Sequence, residues 1–161
     1  MVLPKSKTSN LFNKLKLVDF LNEVKLHPNT YVILTNLSGI SEDLFRYLGK
    51  NYPNLANLCI PEIYTFSGYN LTKTFNMNTP ILCLDYLDCS IEELISFIAN
   101  NKLFATMSST NKFNQKYVNA IDKTYKTFSY VKSVNDNGEI TYYKNKNING
   151  FYTDNFDLIK S

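Results

Sequence analysis

The stretch Ile81-Leu82-Cys83-Leu84-Asp85-Tyr86-Leu87-Asp88-Cys89-Ser90-Ile91-Glu92-Glu93 holds the signals of a strand and a helix in succession. Its first four residues form an apolar, strand-sized run, which predicts a buried strand over residues 81–85. Ser90 followed by Glu93 is a capping box, which predicts a helix that starts there and ends near residue 100. A buried strand that leads into a helix favours an α/β protein.

The residues upstream repeat this pattern. Apolar residues at helical spacing predict a helix over residues 10–24. The β-branched run of residues 31–35 predicts a second buried strand. A turn follows that strand, and Ser41 then suits the N-cap of a further helix.

The residues downstream predict a hairpin, because Asn135-Asp136-Asn137-Gly138 separates two strand-like runs at residues 128–134 and 139–144. Residues 108–114 are polar and predict a loop. The fold we expect is a single-domain layered α/β sandwich, in which helices pack on a mixed β-sheet that ends in a C-terminal β-hairpin. Residues 1–9 are expected to be a flexible basic arm, and residues 10–161 a single α/β domain.

Composition narrows the class of protein. The chain has 161 residues, of which 44% are hydrophobic and 14% aromatic, and this excludes a disordered protein. It lacks the 18 or so consecutive apolar residues of a membrane helix, so no membrane partner is expected. Three cysteines without paired spacing argue against a disulfide framework or a zinc site. The net charge of +3 permits contact with nucleic acid without requiring it.

No complete catalytic constellation is evident in the sequence. His27 is the only histidine, and it precedes Pro28 at a predicted helix end. The carboxylates of Asp85, Asp88 and Glu92 follow a strand, where an enzyme could hold Mg²⁺. Acidic residues also stabilise a helix N-terminus without any ligand, and that interpretation is favoured. The sequence therefore predicts no enzyme activity, no metal, no cofactor and no small-molecule substrate.

The order of elements resembles the globular domain of the ribosomal stalk-base protein, the tenth protein of the bacterial large-subunit series. Residues 31–34 resemble that family's strand, and Leu37-Ser38-Gly39-Ile40-Ser41 resembles its turn. The segment Leu44-Phe45-Arg46-Tyr47-Leu48 is similar to its helix, with Arg46 at the family's arginine position. The family's C-terminal helical spine has no counterpart, since the sequence ends at Ser161.

The resemblance implies a structural constituent of the large ribosomal subunit that binds rRNA and neighbouring ribosomal proteins. The candidate phosphate contacts are the following basic residues: Lys5, Lys7, Lys14, Lys16 and Arg46. Abundant Asn, Lys, Tyr and Phe indicate an A/T-rich gene, and the N-terminus is a poor presequence. An organelle-encoded mitochondrial protein is therefore expected, and otherwise a cytoplasmic one. Two alternatives stay open: an Mg²⁺-dependent phosphoryl-transfer enzyme or nuclease using Asp85, Asp88 and Glu92, and a viral or accessory protein-interaction domain.

Overall fold

The computed structural model of the chain describes residues 16–35 and 41–155. Helices and strands alternate along this part of the chain. The helices are α1 (Leu17–Val24), α2 (Ser41–Asn51), α3 (Pro53–Ala56), α4 (Gly68–Thr74), α5 (Ile91–Asn100), α6 (Gln115–Asp122) and α7 (Asn137–Lys144). The strands are β1 (Val32–Leu34), β2 (Cys59–Ile63), β3 (Ile81–Cys83), β4 (Ala105–Ser109), β5 (Phe128–Lys132) and β6 (Gly150–Tyr152).

The six strands form one sheet in chain order, and every neighbouring pair is parallel. Parallel neighbours must be joined by a crossover, and each connection between these strands contains at least one helix. The register is continuous through the centre of the sheet, where Cys83 pairs with Met107 and Met107 pairs with Tyr130. As a result, the carboxyl ends of all six strands lie at one edge of the sheet.

The helices cover one face of the sheet, and three apolar clusters hold them there. Around β1 and β2, Leu21 and Leu48 are fully buried and pack with Cys59. Around β3, Leu82 packs with buried residues of α5 and α6. The third cluster joins Val131 of β5 to α6 and α7. Each fully buried aliphatic side chain of this kind contributes roughly 1.5–3 kcal/mol to folding.

The opposite face of the sheet has its own core. Successive strand residues point to opposite faces, and this face receives the following buried side chains: Ile60, Ile81, Cys83, Ala105 and Met107. Partly buried aromatic rings extend the cluster, among them Tyr64, Tyr130 and Tyr152. This second face is therefore a packed layer as well.

The sheet is curled around this second core. Glu62 lies on β2 and Tyr152 on β6, four strand positions apart, which in a flat sheet is about 19 Å. The Glu62 carboxylate nevertheless lies close enough to Tyr152 to add to the effect of burial in raising the pKa of its phenol. We call the side enclosed by the curl the concave face. Sequential parallel strands curled inside a layer of helices are the arrangement also found in β/α barrels.

The predicted α/β class is confirmed, whereas two details of the predicted sheet are wrong. The sheet is parallel throughout and not mixed. The hairpin is absent from the described residues, because Asp136 accepts a hydrogen bond from the backbone N–H of Glu139 and caps α7. The helix predicted over residues 10–24 is described only from Leu17 onward. The basic arm at residues 1–9 lies outside the described residues, so the predicted domain division stays a prediction.

Candidate functional site

Glu62 is a carboxylate buried at the end of β2. Its side chain points to the concave face, and the residue is only 5% exposed. The Tyr64 hydroxyl donates a hydrogen bond of 2.8 Å to Glu62 Oε2. Burying a carboxylate costs free energy, and the hydrogen bond from Tyr64 offsets part of that cost.

Asp85 and Lys132 form an ion pair on the same face. Asp85 follows β3 in a 3₁₀ turn, Lys132 ends β5, and their charged groups lie 3.1 Å apart. The Asp85 side chain is 5% exposed and that of Lys132 is 28% exposed. The lysine therefore reaches solvent at the carboxyl edge of the sheet while the aspartate lies behind it.

Ser109 at the end of β4 completes the hold on Asp85. The Ser109 backbone N–H donates to Asp85 Oδ1 at 2.8 Å. Burial alone would raise the pKa of Asp85, but the hydrogen bond from Ser109 and the charge of Lys132 outweigh it and lower the pKa. Burial likewise opposes the charge on Lys132, yet Asp85 raises the lysine pKa above its ordinary value. Both groups are thus charged at neutral pH.

The Tyr152 hydroxyl lies on the other side of the curl, beside Glu62. Its oxygen is buried and makes no hydrogen bond of good geometry within the described part of the chain. Burial and the nearby Glu62 carboxylate both raise the pKa of Tyr152, so the phenol keeps its proton. A neutral phenol next to a carboxylate is a proton donor with an acceptor at hand.

Cys83 lies between these groups on β3. Burial is the main cause that raises the pKa of its thiol, and the neighbouring carboxylates add to it. The thiol is therefore neutral and packs as a small apolar group. We call Glu62, Asp85, Lys132 and Tyr152 the concave cluster.

Of the five residues predicted to contact RNA, only Lys16 and Arg46 lie in the part of the chain that the structure describes. Lys5, Lys7 and Lys14 lie outside the described residues. Lys16 is exposed just before α1. Arg46 lies on α2, where its guanidinium stands 5.5 Å from the centroid of the Phe75 ring.

The three carboxylates proposed as an alternative Mg²⁺ site do not lie in one group. Asp85 belongs to the concave cluster and pairs with Lys132. Asp88 and Glu92 are exposed near the start of α5, and Glu93 closes the capping box with Ser90. Within residues 16–35 and 41–155, no three histidine, cysteine or carboxylate side chains are grouped as metal ligands. The turn of residues 36–40 lies outside the described residues.

Sequence reasoning missed Glu62, Lys132 and Tyr152. The sequence does carry a signal for the first two, since a charged residue ends each of the apolar runs Cys59-Ile60-Pro61-Glu62 and Tyr130-Val131-Lys132. Charges at the carboxyl ends of parallel strands converge on one edge of the sheet. The signal becomes usable only once the strands are known to be parallel.

Two cavities lie outside the concave cluster. A groove of about 740 Å³ runs between α5 and α6, with Ile91, Ile95 and Ala120 among its apolar lining and three lysines, Lys116, Lys123 and Lys126, along it. A smaller cavity of about 100 Å³ lies near the start of α6 and is lined by Ser108, Lys112 and Tyr117, among others.

Comparisons with known proteins give a likeness of fold. No protein-family profile matches the sequence, and no curated protein matches it. The crystal structure of a candidate glycerophosphoryl diester phosphodiesterase from Silicibacter pomeroyi DSS-3 superposes with a TM-score of 0.60 at 9% sequence identity. The likeness covers 85% of this chain and 52% of that protein, so the chain spans about half the length of its structural neighbour.

This likeness overturns the ribosomal prediction. The chain shares its fold with a candidate phosphodiesterase, and none of the comparisons supports a ribosomal, rRNA-binding or mitochondrial protein. The prediction that the chain is not an enzyme is contradicted by the same finding. The physical reason for the error is that the resemblance rested on the order of elements and on one short motif over residues 31–48. It also assumed a mixed sheet, whereas all described strands are parallel.

Three further predictions are not tested by the comparisons and stay predictions. No comparison bears on the resemblance to the stalk-base family, on the predicted partners or on the location in the cell. Among the described residues, every helix is too short or too polar to cross a bilayer.

Proposed function

We propose that the chain is an enzyme that hydrolyses a phosphodiester at the concave cluster. The observation that carries the proposal is that a buried glutamate, an Asp–Lys ion pair and a buried phenol converge at the carboxyl ends of parallel strands. Active sites of β/α barrels lie at this end of the sheet. The candidate phosphodiesterase of the same fold supports the choice of substrate class.

Lys132 has the role of binding the phosphate. Its side chain is 28% exposed, and Asp85 fixes the position of the ammonium group through the 3.1 Å ion pair. A phosphodiester carries one negative charge, and more charge builds up on its oxygens as water attacks. A lysine held at that position stabilises this charge in the transition state.

Glu62 and Tyr152 supply the proton transfers. Glu62 takes a proton from the attacking water, whose oxygen forms a new bond to phosphorus. As the bond from phosphorus to the leaving alcohol breaks, the Tyr152 phenol donates its proton to the departing oxygen. The proton held by Glu62 then returns to Tyr152. In sum, water and the phosphodiester are consumed, and an alcohol and a phosphomonoester are formed.

The test is a kinetic comparison of single variants on a panel of small phosphodiesters. Glu62→Gln keeps the shape of the side chain and removes the base, so kcat is expected to fall by about 100-fold or more. Lys132→Met is expected to lower kcat/KM by a similar factor. Lys116→Ala is the matched control, because this lysine is exposed on α6 and lines the groove instead.

The variants are compared at equal folded fraction, established from their Tm. Glu62→Gln and Lys132→Met should be inactive while folded, and Lys116→Ala should match the wild type within about twofold. Hydrolysis that survives both substitutions in the concave cluster would rule out this site.

A further inference from the structure

Tyr86 places an exposed aromatic ring beside the concave cluster. It follows Asp85 directly in the 3₁₀ turn after β3 and is 71% exposed. Its ring centroid lies 5.8 Å from that of Tyr64, whose hydroxyl donates to Glu62. Tyr64 thus contacts both the exposed Tyr86 ring and Glu62, the proposed catalytic base.

Lys112 fixes this ring from the neighbouring loop. Its Nζ lies 5.4 Å from the Tyr86 centroid and donates a 3.0 Å hydrogen bond to the Asp85 carbonyl oxygen. The lysine thus joins the ring to the backbone of the residue that holds Lys132. A large apolar ring at the surface costs free energy in water, and here it is held next to a cation and a proposed phosphate site.

We infer that Tyr86 is a stacking platform for a nucleobase, so that the substrate is a phosphodiester of a nucleoside. This inference rests on the proposed function and names its substrate class. Flat bases stack on aromatic rings, while lysines beside them neutralise phosphate. Lys132 would hold the reacting phosphate, and Lys112 lies where it adds positive charge beside the base.

The test compares a phosphodiester that carries nucleobases with one that carries none. One is the dinucleotide thymidylyl-thymidine, and the other is glycerophosphoglycerol, which has the same linkage between two glycerols. For Tyr86→Ala we expect kcat/KM to fall by about 10- to 100-fold on the dinucleotide and by less than about twofold on the glycerol diester. Tyr86→Phe keeps the ring and is expected to keep both activities.

Tyr142→Ala is the matched control, because Tyr142 lies on α7 and outside the concave cluster. Tyr142 is 55% exposed on α7, and Lys146 Nζ stands 4.9 Å from its centroid, so the pair repeats the ring and lysine of Tyr86 without the cluster. This variant should change neither activity. A selective loss in Tyr86→Ala alone supports the inference.

The failures are distinguishable. If Tyr86→Ala lowers both activities equally or neither, while Glu62→Gln abolishes both, the nucleobase platform is wrong and the proposed function stands. If Glu62→Gln and Lys132→Met leave hydrolysis intact, the proposed function fails and the platform fails with it. Titration with uridine 5′-monophosphate and inorganic phosphate adds a readout without turnover. Equal affinity of the wild type for the two would also overturn the platform.

Discussion

Asp85 shows how single residues of the cluster combine opposing effects. Burial disfavours its charge, and the Ser109 N–H and Lys132 more than compensate, so the pKa of the folded state lies below the ordinary value of 3.8. A carboxylate with a lowered pKa stabilises the fold above that ordinary value. The stabilisation is lost as pH falls through the lower pKa of the folded state.

Asp85→Asn should therefore destabilise the protein in a pH-dependent way. The amide still accepts a hydrogen bond from Ser109, but Lys132 loses its counter-charge. We expect the free energy of unfolding at pH 7 to fall by about 1–2 kcal/mol, a modest value because Lys132 is partly exposed to solvent. Urea unfolding at pH 7 and at about pH 2.5 measures the difference between variant and wild type.

That difference should shrink as pH falls below 3.8, because the unfolded wild type then binds a proton on Asp85 while the lowered pKa of the folded state resists it. Asp154→Asn serves as control, because Asp154 is exposed on the loop after β6. A gap between Asp85→Asn and wild type that is the same at both pH values would show that the ion pair does not stabilise the fold.

At the residue scale the sequence identified only part of the site. Asp85 was selected because it follows an apolar run, and it does lie in the concave cluster. Asp88 and Glu92 were selected with it by proximity along the chain, but a helix N-terminus turns them to solvent. Glu62 and Tyr152 meet only through the curl of the sheet, which no local pattern reveals.

At the scale of elements, α2 and α4 meet at a glycine. A Cβ added to Gly49 would collide with the carbonyl group of Phe75, the residue that caps the end of α4. Because this neighbour is backbone, it cannot rotate away as a side chain would. Gly49 therefore sets how closely the two helices approach.

Gly49→Ala is expected to lower the free energy of unfolding by about 2 kcal/mol through overpacking. Gly138→Ala in α7 is the control, since its added Cβ would meet only the Asp136 side chain, at 3.0 Å. Alanine is also the better helix former, so the control should change stability by less than about 1 kcal/mol. Thermal unfolding measures the Tm of both variants and of the wild type. Equal Tm values for Gly49→Ala and wild type would contradict the close approach of α2 and α4.

Elements with a strong local signal were predictable, and those defined by their neighbours were not. The Ser90 capping box is present as predicted, with hydrogen bonds in both directions to Glu93. The segment from Asn135 to Gly138 carries a hairpin signal and a helix cap together, since Glu139 follows Asp136 by three residues. A helix forms here because β5 and β6 are parallel, and parallel neighbours need a crossover between them. This requirement comes from the tertiary structure and is not visible in the local sequence.

Strand β4 was missed altogether for a related reason. Its sequence, Ala-Thr-Met-Ser-Ser, lacks the apolar run of a buried strand, and Ser109 belongs to the stretch predicted as loop. Thr106 and Ser108 are nevertheless buried in the centre of the sheet. Thr106 is accommodated there because its hydroxyl donates a 3.3 Å hydrogen bond to the Phe128 carbonyl oxygen of β5.

At the scale of the whole molecule, the proposed function depends on the curl that brings β2 and β6 together. Three strands or their ends supply the proposed base and the ion pair, and a fourth strand supplies the phenol. The groove between α5 and α6 offers the competing location, since three lysines line it and any of them could bind phosphate. The central claim is that the phosphodiester binds at the concave cluster.

The most direct measurement is an NMR titration of the ¹⁵N-labelled protein with thymidylyl-thymidine and with glycerophosphoglycerol. We expect the largest chemical-shift changes at the backbone amides of Ser109 and Lys132 with both ligands, and an added change at Tyr86 with the dinucleotide. Changes confined to Lys116 and Lys123 in the groove, with Ser109 and Lys132 unmoved, would contradict the account.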